Sequence, residues 1–428
     1  MILILFGTML VLFAVGVPIA FSMGISAAIA IAAMPRAGFE VIAQRMFFGL
    51  DSFVILSVPL FLLLGELMDQ ARITDRLVGF AHALVGRLRG GLAHVSIVTN
   101  MILSGISGSG TADAAATASV LLPAMHKNGY SMRFAAAVIA AGATVGPIIP
   151  PSIVMLIYAS VANVSIGRMF LGGIVPGVIM GLTLMAVTAV IARKRNFPRG
   201  EKPTINGIIT ATRRASLVLI TPLIVIVGIV GGVFTATESA AVACVYALLL
   251  GLVIYRTVPF RVLPEIVLRT AWTTGKIMFV FSTASIFSWI LARGGVSSQL
   301  AEISFLSDAS NPWLMLMTLN VLLLILGALM DSIAIVVIIT PMFLPFALAA
   351  GIDPVHLGVM MTLNISIGLI TPPVGGILFV LCALTKLSMV ALTRELLVYI
   401  VALLVPLLLI TYIPQLVLFV PDLLMGPR

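Results

Sequence analysis

Runs of about 20 apolar residues, each long enough to cross a ~30 Å hydrocarbon core, recur from one end of the chain to the other. Hydrophobic residues make up 61% of the sequence and charged ones only 9%, which excludes a fold with a polar exterior. The chain reads as a polytopic membrane protein. Backbone groups facing lipid must find their partners within helices, so the fold class is all-α. The excess of 24 Lys and Arg over 15 Asp and Glu would suggest nucleic acid in a soluble protein. Here basic residues serve to hold loops at the cytoplasmic face, and no nucleic-acid partner is expected. Four scattered histidines and two cysteines inside apolar runs lack metal-ligand or disulfide spacing. The apolar N-terminus has no basic leader and reads as retained membrane helix, broken in two at "GVPIAF", residues 16–21, with the terminus outside.

Orientation follows from the charges. The loop at 193–214 holds seven Lys or Arg and one Glu, which places it in the cytoplasm. Walking backward brings "HKNGYSMRF" and the amphipathic stretch with Arg72, Arg76, Arg87 and Arg89 to the same face. Residues 91–125 then have both ends on one side and are too short for two full spans, so they form a re-entrant hairpin with "SGISGSGT" as its tip. Walking forward, the connection carrying Glu302 and Asp308 is periplasmic, and residues 313–347 form a second hairpin entered from that side. The walk leaves Arg36, Arg45, Arg168, Arg293 and Arg428 periplasmic and Lys276 just inside a span.

The chain therefore divides into N-terminal scaffold helices (1–70), a first repeat (71–192: arm, hairpin 91–125, broken helix 134–161, helix 167–191) and a basic cytoplasmic loop (193–215). Connecting scaffold helices (216–270) lead to a second repeat (271–428: arm, hairpin 313–347, broken helix 358–384, terminal helix 397–420). One half enters from the cytoplasm and the other from the periplasm, an inverted-topology repeat. Local matches pair Asp113 with Asp331 and Pro123 with Pro341 at an offset of 218, and "GPIIPP" with "GLITPP" at 222, a four-residue insertion between the two anchors.

Those two proline pairs stand where a membrane helix should run unbroken. A proline lacks the N–H that would bond the carbonyl four residues earlier. Pro150 and Pro151 thus free the carbonyls of Gly146 and Pro147, and Pro147 that of Ala143; Pro372 and Pro373 free Gly368 and Leu369. Bare carbonyls at mid-membrane must line a cavity, pack against protein, or hold a cation. Na⁺ suits neutral carbonyl and hydroxyl oxygens. Ser104 and Ser107 at the first tip, the backbone around Gly327 at the second, and the Thr371 hydroxyl extend the two candidate sites. Asp113 and Asp331 are intramembrane acids, functional by default or capping a helix. Thr235 and Glu238 have the spacing of a capping box.

At "SGISGSGTADAAA", "GPIIPPS" and "GLITPPVG" the chain resembles the large membrane subunit of tripartite ATP-independent periplasmic (TRAP) transporters, of the ion-transporter superfamily, over essentially its full length. The resemblance implies an elevator-type transporter of the bacterial inner membrane, importing an organic acid anion with Na⁺ as coupling ion and no other cofactor. It implies a first Na⁺ site at Ser104, Ser107, Gly146, Ile149 and Pro150, and a second at Gly327, Gly368, Thr371 and Val374. It also implies a soluble periplasmic substrate-binding protein and a separate small four-helix membrane subunit, which shares the lipid bilayer with this chain. The rival readings are a binding-protein-independent carboxylate or arsenite carrier or a Na⁺/H⁺ antiporter of the same superfamily, and, in other classes, a membrane enzyme or a passive channel. No Walker-type loop, H-E-x-x-H or nucleophile elbow is present, and the expectation is that the protein is not an enzyme.

Overall fold

Glycine and proline punctuate many of the breaks in the helices, and left-handed Arg72, Asn163 and Lys386 mark three others. The computed structural model describes residues 1–34, 38–200, 204–295 and 312–427; the connection with Glu302 and Asp308, and Arg36 and Arg428, lie outside these. The N-terminal apolar stretch is two helices, α1 (Ile2–Ala14) and α2 (Ile19–Ala32), parted where Gly16 takes φ +90° and Pro18 removes a donor. Then come α3 (Glu40–Leu50), α4 (Ser57–Gln70) and the amphipathic α5 (Ile73–Val85).

The first hairpin is α6 (Gly91–Ser107) and α7 (Gly110–Lys127), joined by Gly108 at φ +61° and Ser109. Its broken helix is α8 (Met132–Ala143) and α9 (Ile153–Ala162), followed by the 29-residue α10 (Ile166–Lys194). Three helices connect the halves: α11 (Ile205–Val230), α12 (Ala236–Leu248), which opens on the Thr235–Glu238 capping box and ends in a π turn, and α13 (Leu263–Arg293). The second half repeats the plan with α14 (Pro312–Leu329), α15 (Ser332–Ala349), α16 (Pro354–Gly368), α17 (Gly376–Thr385) and α18 (Met389–Tyr412). The terminal helix expected at 397–420 is in fact two. Pro414 lacks an N–H and Ile413 leaves helical geometry (φ −124°, ψ 80°), so the chain restarts as α19 (Gln415–Met425). Among the described residues, seven helices are long and apolar enough to cross a membrane.

The inverted sense is visible against α10, which is about 43 Å long at 1.5 Å per residue. At its Lys194 end, Arg195 pairs with Glu395 of α18 at 2.8 Å and lies over Phe134 of α8. At its other end, Arg168 pairs with Asp422 of α19, and Gly172 lies against Val355 of α16. Helix α8 leads out of the first hairpin and α16 out of the second, so the hairpin bases sit on opposite faces.

Helix caps correct the register of the repeat. The N-cap residues Ser109, Ser131 and Ser165 recur as Asp331, Asp353 and Ser388, at offsets of 222, 222 and 223. Pro123 within α7 thus matches Pro345 rather than Pro341, and the left-handed Asn163 matches Lys386. The insertion between hairpin and broken helix disappears, and one residue is added after the second proline pair, beside Gly375. It follows that Asp113 is not the counterpart of Asp331. Ser131 and Asp353 both accept from first-turn amides, a task that a serine or aspartate oxygen performs equally well, while Ser109 holds the position of Asp331 without making that bond.

Candidate functional site

Each hairpin tip is pressed backbone to backbone against its broken helix, and glycine makes that possible. A Cβ added to Gly108 would meet the Pro151 carbonyl at 2.7 Å; on Gly146 it would meet Gly110 at 2.8 Å and Asp113 Oδ2 at 2.9 Å. In the second half a Cβ on Gly368 would lie 2.6 Å from Gly327 Cα, and Val374 N donates to the Ala328 carbonyl at 2.9 Å. The Pro150–Pro151 and Pro372–Pro373 bonds are both cis.

The first tip carries a buried polar seam. Asn100, Ser104 and Ser107 recur at helical spacing along α6 and face Asp113 and Thr117 of α7. Ser107 donates to Asp113 Oδ1, Ser104 lies 3.2 Å from Oδ2, and Thr117 donates to Asn100 Oδ1 at 3.1 Å. Asp113 is fully buried and caps no amide; its carboxylate belongs to the two serines. Asp331, by contrast, accepts from Ile333 N at 2.9 Å as an ordinary helix cap.

Not all of the freed carbonyls stay bare. In the unwound segments, amides three residues on recapture two of the freed oxygens: Gly146 N bonds Ala143 O and Thr371 N bonds Gly368 O, each at 3.0 Å. The Ser152 hydroxyl takes Pro147 O at 2.5 Å, and Ile377 N takes Leu369 O at 3.1 Å. Gly146, Ile149 and Pro150 keep carbonyls that accept no hydrogen bond among the described residues. Ser104, Ser107, Gly146 and Pro150 are thus brought to one place, with Pro150 O near Gly105. The Ile149 side chain turns away onto Gly177 of α10. In the second half Gly327, Gly368 and Val374 meet, while the Thr371 hydroxyl donates to Ile367 O at 2.8 Å.

Three features of the site had little or no sequence signal. Asn320 of α14, Asn364 of α16 and Thr411 of α18 form a buried knot one or two turns from the second site, with Asn364 Oδ1 left without a partner. Next, the two tips line one cavity of about 390 Å³, with Ser109 and Thr111 from the first, Asp331 from the second, and Lys276 from α13 opposite. Lys276 makes none of the ion pairs among the described residues. Finally, a cavity of about 460 Å³ behind the first tip brings Glu66, Asp69 and Arg269 beside Ser107 and Asp113. Only the spacing of Asn100, Ser104 and Ser107 could have announced the polar seam.

Residues 6–416 match the family described as "Tripartite ATP-independent periplasmic transporter, DctM component". The chain is 39% identical to the sialic acid TRAP transporter large permease protein SiaM of Vibrio cholerae, over 99% of this chain and 98% of that one. It is 37% identical to the C4-dicarboxylate TRAP transporter large permease protein DctM of Pseudomonas aeruginosa, over 94% of each. In fold it is similar to the Alcanivorax borkumensis YdaH transporter, with a TM-score of 0.57 at 15% identity over 89% of each chain.

Proposed function

The chain belongs to the DctM-component family of tripartite ATP-independent periplasmic transporters, multi-pass proteins of the bacterial inner membrane that are not enzymes, and on that premise we propose that it imports an organic acid anion by Na⁺ coupling. The observation that carries this reading is the first hairpin tip: a buried aspartate held by two serines, against a proline-broken helix with three unengaged carbonyls.

Such a set of hard, close oxygens suits Na⁺. In this reading Asp113 supplies the charge, Ser104 and Ser107 rotate their hydroxyl hydrogens away, and the Gly146, Ile149 and Pro150 carbonyls complete the shell. The second ion sits where Gly327 and Gly368 meet, with Thr371 and Val374. Glu66 and Asp69 line the approach to the first site and raise the local cation concentration there.

The anion occupies the cavity between the tips. Its volume suits a small carboxylate or a sugar acid. A lysine near the middle of a spanning helix must face protein or water, and Lys276 faces this space without an acidic partner. It supplies the countercharge to the substrate carboxylate. Because Lys276 stands on α13, outside both hairpins, vertical movement of the hairpins would carry the anion away from the lysine. That is an elevator step in which substrate release is built into the charge geometry. A periplasmic binding protein and a small membrane subunit are the partners that the tripartite family supplies.

The test is uptake into proteoliposomes of sialic acid and of a C4-dicarboxylate, the acids for which two relatives are named. An inward Na⁺ gradient is applied with and without binding protein. Uptake that needs both supports the proposal. Uptake indifferent to the binding protein favours the independent carrier, and uptake indifferent to Na⁺ removes the coupling.

A further inference from the structure

A large groove lies away from both tips. We propose that it binds the headgroup and upper acyl chains of an anionic phospholipid. The groove, about 870 Å³, runs between the Lys194 end of α10 and the start of α18. Arg133, Lys194, Arg195 and Arg394 line it with one acid, Glu395. Arg195 is committed to that acid at 2.8 Å. Arg133, Lys194 and Arg394 enter no ion pair among the described residues, which leaves three cations facing one space.

The remaining wall is apolar and open. Val190, Val390 and Val398 are 51%, 66% and 53% exposed, on two helices that are long and apolar enough to span the membrane. The groove therefore has a hydrocarbon half along the helices and a cationic half at their ends. The cationic half lies at the face that the basic loops assign to the cytoplasm. Inorganic phosphate would satisfy only one half, and a zwitterionic lipid brings its own positive charge to three that are already unpaired. An anionic glycerophospholipid satisfies both, its phosphate among the three bases and its chains along the valines.

The occupant has a consequence for transport. Both helices belong to the repeats that carry the hairpins, so a lipid held here rides with the part of the protein that contacts solute. Replacing anionic lipid with zwitterionic lipid should slow transport without altering the Na⁺ requirement.

The experiment uses the full chain, purified in mild detergent and equilibrated with equal amounts of phosphatidylglycerol and phosphatidylcholine, with retained lipid counted by native mass spectrometry. The expected result is at least tenfold preference for phosphatidylglycerol, falling to parity in R133Q/K194Q/R394Q. A control, R213Q/R214Q/R256Q, removes the same charge elsewhere on that face and should keep the preference. Val190→Trp fills the apolar wall without touching charge and should lower retention of phosphatidylglycerol, so the proposal stays open to refutation even if the triple variant folds poorly. Equal retention in the wild type and the groove variants would overturn it. So would equal losses in both triple variants, displacement of lipid by millimolar inorganic phosphate, or its displacement by the co-purified small membrane subunit, which would make the groove a protein interface.

Discussion

Replacing Gly368 by alanine tests the contact on which the proposed second ion site depends. The added Cβ would stand 2.6 Å from the Cα, carbonyl carbon and oxygen of Gly327. Ordinary carbon contacts sit at ~3.5–4.0 Å, so the hairpin and the broken helix must part by about 1 Å. Neither side can yield by rotating a side chain, because both are backbone. Overpacking of this kind costs about 1–3 kcal/mol. If that cost falls on the ion-bound arrangement, the half-saturating Na⁺ concentration rises roughly 5- to 150-fold. The assay is Na⁺ activation of solute uptake in proteoliposomes, with Gly79→Ala as control, since a Cβ there meets nothing within 4 Å. A Gly368→Ala protein that is folded, transports, and shows the wild-type Na⁺ curve would refute the placement of an ion at this contact.

Asp113→Asn keeps the shape of the first site and removes its charge; Na⁺ activation should weaken at least tenfold, measured by the same uptake curves. Lys276→Gln should raise KM for the acid several-fold and leave half-saturating Na⁺ unchanged, with Lys276→Arg recovering part of the loss. Asp331→Ala removes a helix cap and should cost about 1 kcal/mol of stability, seen as a lower Tm, whereas Asp331→Ser keeps the cap and transports normally. Ser107→Ala should shift Na⁺ activation more than Thr371→Ala, because the Thr371 hydroxyl already has a helical carbonyl as its partner.

The spans, the hairpins and the meeting of each tip with a proline pair were legible in the sequence, because proline and glycine act through the backbone alone. Apolar length and charge asymmetry did the rest. The fate of individual carbonyls was not legible. The loss of an i−4 donor is certain at a proline, but the unwound chain offers other donors, such as Gly146 N, Thr371 N and the Ser152 hydroxyl. The partners of Asp113 were also hidden, since a serine near a tip looks the same whether it caps a helix or grips an acid across the hairpin. Lys276 announced itself only as a charge misplaced in a span; its cavity is made by several segments distant in sequence.

The corrected register changes how the two proposed ion sites compare. At an offset of 222, Ser104 and Ser107 fall on Leu326 and Leu329, Asp113 on Ile335, and Ile149 on Thr371. The repeat has kept the backbone frame of each site, with Gly105 on Gly327 and Gly146 on Gly368, while replacing every side chain that bears charge or hydroxyl. The first site therefore has a carboxyl beside its hydroxyls, whereas the second has no ionisable side chain and is neutral. A neutral site gains nothing from Coulomb attraction and depends on how closely the tip closes on the broken helix, which is also the wall of the solute cavity. Coupling between ion and solute should accordingly be stronger through the second site. By linkage, saturating solute should then lower the Na⁺ requirement of Asp113→Asn, whose second site is intact, more than that of Gly368→Ala.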